Sequence, residues 1–318
     1  MSRHRVIAWF AALVAVAALP ISIITAAAQG ATPEPSAVTL SYPELRIEAT
    51  DAVFNVPTEI PAGRYLITLD NIGTKGTGAI LVSPPAGRTT DELLAAFAAT
   101  VATPTAPPPA WLLQATFAGG PGFVEAGQRS QAVIDLAPGH YLVLPDEGPQ
   151  APQTLQVLPT TNATPTNAPQ PTSDVTVTEQ EYGYTGLPSR IAAGPLVWQV
   201  ANAGKQPHQM LLSRVPDGTT AGELVAAYRT LYADFSGSAT TPTAPGTLDA
   251  SDLPSMGGLE AMSPGRTAWA ILDLPPGTYA ALCFVNDVQS GEWHVLMGMV
   301  AVFTVDSGLS TAAGTPAP

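Results

Sequence analysis

Apolar and polar residues alternate in short runs along most of the chain. The segments LRIEA at 45–49 and YLITLDN at 65–71 show this period of two, which is typical of strands with one buried face. Runs of this kind extend from Ala37 to Leu158 and start again from Asp174 to Asp306. The pattern therefore predicts two mostly β domains, one over each of these stretches.

Two other stretches contain almost nothing that could enter a core. Residues 159–173, PTTNATPTNAPQPTS, are rich in Pro, Thr and small polar residues, a composition typical of an extended and fairly stiff linker. Small residues also dominate 307–318, which we expect to be a flexible tail. The length of 318 residues agrees with two domains of ordinary size.

The first 28 residues have the features of an export signal. A basic start, MSRHR, precedes an uncharged apolar run from Val6 to Ala28 that ends in three alanines, a pattern suited to signal peptidase. We predict a signal peptide over 1–28, and hence an exported protein that is secreted, periplasmic or held at the cell surface. The run is long enough that an uncleaved membrane anchor is the alternative, and this would be the only link to a membrane.

The two β stretches look like copies of one another. Ile60–Gly63 corresponds to Ile191–Gly194, and eight residues beyond each of these glycines stands an asparagine, Asn71 or Asn202. A repeat of this kind points to one fold used twice.

Each copy also contains one predicted amphipathic helix. The segments are GRTTDELLAAF at 87–97 and GTTAGELVAAY at 218–228, and each opens with a threonine followed three residues later by a glutamate, which forms a capping box. The capping pairs are Thr89 with Glu92 and Thr220 with Glu223; the apolar faces are Leu93, Leu94, Phe97 and Val101, and Leu224, Val225, Tyr228 and Leu231.

A Pro-Gly pair follows a strand in each copy, at Pro138-Gly139 and at Pro276-Gly277. Because Pro-Gly is typical of a type II turn, we expect a hairpin at each position. Strands, turns and a single helix per copy predict an all-β fold of two sandwiches, each with one inserted helix.

Charge limits the classes of partner. The chain has 12 Lys and Arg against 25 Asp and Glu, and removal of Arg3 and Arg5 with the signal leaves a net charge of −15. An acidic surface disfavours nucleic acid and anionic lipid as partners.

The chain's single cysteine lies in the segment CFVNDVQSGEWHVLMGMVAVFTV. Cys283, His294, Met297 and Met299 are soft or borderline ligands that suit copper better than calcium or magnesium, and His208 is the candidate for a ligand from elsewhere in the chain. Taken one at a time, each of these residues has a simpler interpretation as a buried or surface side chain. Their occurrence together favours a metal site.

In order and spacing, the second copy resembles the cupredoxin, or blue copper, family. The stretch NAGKQPH at 202–208 leads into a histidine, and the strand from Tyr279 ends in Cys283. His294 and Met299 then precede a closing strand. The resemblance covers 174–306, and more weakly the first copy, and implies tandem cupredoxin-like Greek-key β-sandwiches.

The resemblance implies a type 1 copper site with ligands His208, Cys283 and His294 and an axial Met299, for which Met297 is the rival. Ten residues separate Cys283 from His294, more than in the small electron carriers of the family. The implied function is one-electron transfer with a redox partner outside the cytoplasm. The small number of histidines, considered below, predicts that the protein is not an enzyme.

The first copy lacks these ligands. The position of His208 corresponds to Gly78 or to Thr77, depending on the alignment, and that of Cys283 corresponds to Pro145. We therefore expect a metal-free first domain with a structural or interaction role.

Alternatives remain open from the sequence. The mature chain has only His140 in addition to the two candidate histidines, which argues against the further copper centres of multicopper oxidases and nitrite reductases. The same ligands would serve copper sequestration or delivery, and a metal-free binding module is the alternative from a different class. Asn202 is interpreted as a turn residue or as a group that orients His208, and Trp293 as a packed aromatic or a shield against water.

Overall fold

A computed structural model describes residues 40–102, 109–160, 168–235 and 248–309. The predicted signal peptide, the centre of the linker and most of the tail lie outside the described residues. The strands of the first half are β1 (Glu44–Ala49), β2 (Phe54–Asn55), β3 (Glu59–Pro61), β4 (Gly63–Asn71), β5 (Ala79–Ser83), β6 (Thr116–Gly119), β7 (Arg129–Leu136), β8 (Gly139–Pro145) and β9 (Gln153–Leu158). Those of the second half are β10 (Val175–Gln180), β11 (Gly183–Thr185), β12 (Arg190–Ala192), β13 (Gly194–Asn202), β14 (His208–Val215), β15 (Ser255–Met262), β16 (Thr267–Leu274), β17 (Gly277–Leu282) and β18 (Val300–Asp306).

The two predicted helices are present, as α1 (Thr90–Ala102) and α2 (Ala221–Phe235). Both capping boxes form: the amide of Glu92 donates to the Thr89 hydroxyl at 3.2 Å, and that of Glu223 donates to the Thr220 hydroxyl at 3.3 Å. Each helix packs its apolar face on the outer surface of a sheet, with Leu93 and Leu224 fully buried. Neither helix is long and apolar enough to cross a membrane.

The described strands form two sheets that run through both halves. One has the order β11-β10-β13-β16-β7-β4-β1-β2, and the other the order β12-β18-β17-β14-β15-β6-β5-β8-β9-β3. The sheets face each other across one apolar core, so each half is a sandwich. The all-β fold predicted from the sequence is confirmed.

The two halves meet through equivalent strands. In the first sheet β7 pairs with β16, and Ala132 lies opposite its own counterpart Ala270. In the second sheet Pro121 lies opposite its counterpart Leu259. Such self-pairing is the pattern of a two-fold symmetric dimer interface. The sequence left open whether the halves pack together, and the structure shows that they do.

The predicted Pro-Gly hairpins are wrong. β7 pairs with β4 and β16, whereas β8 pairs with β5 and β9, and the same division separates β16 from β17. Each Pro-Gly pair therefore carries the chain from one sheet to the other. A tyrosine stabilises each crossing between the sheets. The Tyr141 hydroxyl donates to the carbonyl of Ala137 at 3.0 Å, and the Tyr279 hydroxyl donates to that of Pro275 at 2.6 Å.

Candidate metal centre

His208 is the first residue of β14 and follows a tight turn that begins at Asn202. The Asn202 amide donates to the carbonyls of Gln206 and Met262 at 2.9 and 2.7 Å, and its oxygen accepts from the Gly204 amide at 2.8 Å. A Cβ on Gly204 would lie 2.7 Å from His208 Nε2, so a side chain at that position would displace the imidazole. The Asn-x-Gly motif thus shapes the turn that delivers His208.

Cys283 directly follows β17, which is the antiparallel neighbour of β14. Its side chain is completely buried, and the amide of Gln209 donates to its sulfur at 3.5 Å. The adjacent strand ends place the thiol beside His208.

The long interval from Cys283 to His294 folds back on itself as a short hairpin. Asn286 lies opposite Trp293, and the amide of His294 donates to the carbonyl of Val285 at 2.9 Å. Gly291, with a φ of 75°, provides the left-handed turn residue. The hairpin brings His294 next to the cysteine in spite of the ten intervening residues.

The three candidate donor atoms converge. His208 Nδ1 lies 3.0 Å from His294 Nδ1, and Cys283 Sγ lies 3.4 Å from the same nitrogen. All three side chains are fully buried, and their donor atoms lie within 4.8 Å of one another. Because protein-bound zinc lies about 2.0–2.3 Å from imidazole nitrogen and thiolate sulfur, two donors of one such ion are about 3–4 Å apart. The separations of His294 Nδ1 from the other two donors fit this range, and the widest separation in the set, 4.8 Å, exceeds it, so the donors would close slightly around an ion.

Burial sets the protonation of the three donors. Desolvation lowers the pKa of His208 even though the nearby Glu181 carboxylate opposes this. Desolvation and the neighbouring His208 together lower the pKa of His294 to about 4, and desolvation raises the pKa of the Cys283 thiol. Both imidazoles are therefore neutral at pH 7, as ligands must be, whereas binding of a metal by Cys283 would release a proton.

The two methionines differ in burial. Met299 is fully buried and stands outside the apolar clusters formed by the described residues, while Met297 is partly exposed. The amide of Met299 donates to the carbonyl of His294 at 3.0 Å, which fixes its backbone beside the candidate ligand. The axial role of Met299 remains a prediction.

The first half replaces the histidine by Thr77. Thr77 lies opposite Val124 in an isolated bridge just before β5, as His208 lies opposite Met262 at the start of β14, which decides between the two alignments left open by the sequence. The Thr77 hydroxyl donates to the carbonyl of Glu147 at 2.6 Å. In this half a hydrogen bond joins the segment before β5 to the loop after β8.

The simpler interpretations of Asn202 and Trp293 hold. Asn71 in the first half donates to the carbonyls of Lys75 and Val124, the counterparts of the acceptors of Asn202, so this asparagine belongs to the framework of the fold. Trp293 is buried in edge contacts with Tyr232 and Phe284, with ring centroids 4.9 and 5.9 Å apart.

Several solved structures resemble the chain. Auracyanin from Roseiflexus castenholzii is 18% identical over 41% of this chain and 94% of its own, with a TM-score of 0.25. Auracyanin A from Chloroflexus aurantiacus, described as a "blue" copper protein, is 15% identical over 41% of this chain and 99% of its own, with a TM-score of 0.25. Copper nitrite reductase from Nitrosomonas europaea is 10% identical over 86% of this chain and 96% of its own, with a TM-score of 0.23. No protein-family model and no curated protein matches the sequence.

The described strands form the all-β fold of two sandwiches that the sequence predicts. At these TM-scores the copper of the neighbours remains a property of the neighbours. The case for metal in this chain rests on its own three donors.

Sequence reasoning overlooked the polar residues that surround the donors of the second half. Tyr182, Gln206 and Asp287 lie more than 20 residues apart in sequence, yet they meet beside His294. The one local signal was the segment DVQSG at 287–291, in which an aspartate and a serine precede a glycine as in many tight turns.

Proposed function

We propose that the second half binds one copper ion through His208, Cys283 and His294, and that the protein transfers single electrons. The observation that carries this proposal is the convergence of two imidazole nitrogens and one thiol sulfur in a fully buried position. Two imidazoles and a thiolate, with a weak thioether as fourth ligand, form the donor set typical of blue copper sites.

The structure of the chain supports this role in a second way. His208 and Cys283 stand at the ends of paired strands, and His294 is held by a hydrogen-bonded hairpin. A copper ion in this position would supply the Cu(I)/Cu(II) couple. The protein's contribution is to keep the donors in place and to exclude water, so that little rearrangement accompanies a change of charge.

The wider role follows from the sequence. We propose that the protein is exported, that its partner is a redox protein outside the cytoplasm, and that it is not an enzyme. The acidic composition disfavours nucleic acid as a partner. The first half, with Thr77 in place of the histidine, acts as a structural copy that pairs with the second half through both sheets.

A copper titration tests the proposal. One equivalent of Cu(II) should produce an intense visible thiolate-to-copper absorption in the purified protein, and Cys283→Ser should abolish it. His140→Ala is the matched control, because this exposed histidine lies in the first half and its removal should change nothing. A colourless protein with no bound metal would favour the metal-free binding module.

Two further measurements separate roles that share the same ligands. A reversible one-electron wave in voltammetry is expected for electron transfer, whereas bound copper that cannot be cycled would favour sequestration or delivery. If Met299 is the axial ligand, Met299→Leu should shift the potential and the absorption spectrum, and Met297→Leu should leave both unchanged.

A further inference from the structure

The hairpin between Cys283 and His294 carries a buried carboxylate, Asp287, whose side chain reaches back to the turn before His208. Its Oδ2 accepts hydrogen bonds from Gln206 Nε2 at 2.9 Å and from the Tyr182 hydroxyl at 2.7 Å. Asp287 is 3% exposed, so these bonds are shielded from water.

The second oxygen of the same carboxylate holds the hairpin itself. Asp287 Oδ1 accepts from the amides of Gln289 and Ser290 at 3.0 and 2.7 Å, and from the Ser290 hydroxyl at 2.9 Å. Gln206 completes the link, because its Oε1 accepts from the amide of Val288 at 2.9 Å. Although burial opposes it, these donors hold the pKa of Asp287 below its ordinary range.

Tyr182 extends the contact to the candidate ligand. This residue lies between β10 and β11, and its ring meets the His294 imidazole edge to face, with centroids 5.2 Å apart. Asp287 therefore joins the turn that delivers His208, the hairpin that delivers His294, and the ring that covers His294.

The described residues of the first half contain no equivalent of this arrangement. Ala52, between β1 and β2, takes the place of Tyr182, and Lys75, between β4 and β5, takes that of Gln206. The loop after Pro145 is held instead by the hydrogen bond from the Thr77 hydroxyl. The contacts of the Asp287 carboxylate, which we call the carboxylate clamp, thus occur in the same half of the molecule as the three donors.

We propose that Asp287 is the positioning residue of the metal centre, holding His294 at its observed distance from His208 and Cys283 before any ion arrives. The inference rests on the proposed function for the identity of the ligand and deepens it by naming what fixes the site. Hydrogen-bonded partners outside the ligand set typically contribute 10- to 100-fold to metal affinity.

The test compares Asp287→Asn with Tyr182→Phe and with Asp249→Asn. Asp249 is the matched control, since its carboxylate likewise accepts from the amide and hydroxyl of a nearby serine, Ser251, outside the candidate site. The affinity for Cu(II) is measured by competition with a chelator. The d–d bands of bound Co(II) report the geometry of the metal site. Amide hydrogen exchange in the metal-free protein reports how stably the hairpin is held.

We expect Asp287→Asn to weaken Cu(II) binding by about 10- to 100-fold and to alter the Co(II) bands. It should also speed exchange of the amides of Gly291 and His294, which donate to the carbonyls of Asp287 and Val285 within the hairpin. Tyr182→Phe should produce a smaller change in the same direction, and Asp249→Asn none. If Asp287→Asn does not fold, Tyr182→Phe decides the question. Wild-type affinity, bands and exchange in the folded variants would overturn the inference.

The outcomes also separate this inference from the proposed function. If the wild-type protein binds neither ion, the proposed function fails. The positioning role of Asp287 is then tested by amide exchange alone. Unchanged exchange rates in Asp287→Asn would overturn that role as well.

Discussion

Glu179 is a carboxylic acid in the core of the second sandwich, and its replacement by glutamine should stabilise the protein in a pH-dependent way. The residue lies on β10, where the first half has Ala49. It is fully buried, and neither carboxyl oxygen has a hydrogen-bond partner among the described residues. Burial raises the pKa of Glu179 from 4.5 to about 8, so that the folded protein holds this proton at neutral pH.

The size of the effect follows from the two pKa values. The unfolded chain releases the proton near pH 4.5 while the folded protein keeps it to about pH 8, so stability falls as pH rises through this window. The slope is about 1.4 kcal/mol per pH unit, which amounts to about 3 kcal/mol at pH 7 and about 5 kcal/mol above pH 8. Glutamine has nearly the same shape and cannot ionise, so Glu179→Gln removes this loss.

Urea titrations of the metal-free protein at pH 5, 7 and 9 measure the effect. The variant should exceed the wild type in free energy of unfolding by about 3 kcal/mol at pH 7, with a gap that narrows toward pH 5 and widens toward pH 9. Glu59→Gln, at an exposed strand position, should show no such trend. A difference that is the same at all three pH values would refute the reasoning, because it would mean that Glu179 ionises as readily in the folded protein as in the unfolded chain.

Two further predictions concern the framework. Thr77→Val removes the hydrogen bond to Glu147 and should lower the free energy of unfolding by about 1 kcal/mol in urea titrations, without changing the copper stoichiometry. A loss of copper binding would contradict the assignment of the metal centre to the second half alone. Tyr279→Phe removes the bond to Pro275 and should cost about 1–1.5 kcal/mol, as should Tyr141→Phe in the first half. Unchanged thermal midpoints in both tyrosine variants would show that the hydrogen bonds at the two crossings between the sheets contribute nothing to stability.

The helices were predictable because their signals are local. The spacing of Thr89 and Glu92, and of Thr220 and Glu223, is typical of the first turn of a helix, and both capping boxes form. The period of two in the strands likewise depends on neighbouring residues alone, which is why the all-β class could be predicted.

The Pro-Gly pairs show where local signals end. They correctly mark a sharp change of direction, but whether the next strand returns alongside β7 or crosses to the opposite sheet depends on which partners are free. β7 is already flanked by β4 and β16, so no edge remains for β8. The pairing of the two halves, which occupies that edge, has no counterpart in the sequence pattern.

The sequence by itself determined the kinds of donor atom available and the half of the chain that contains them, because side-chain chemistry needs no fold to be recognised. The tertiary structure decided that His294 reaches Cys283 across ten intervening residues, since this closure depends on a hairpin and on the contact between Asp287 and Gln206. That contact joins residues 81 positions apart, and only packing of the completed sandwich brings them together.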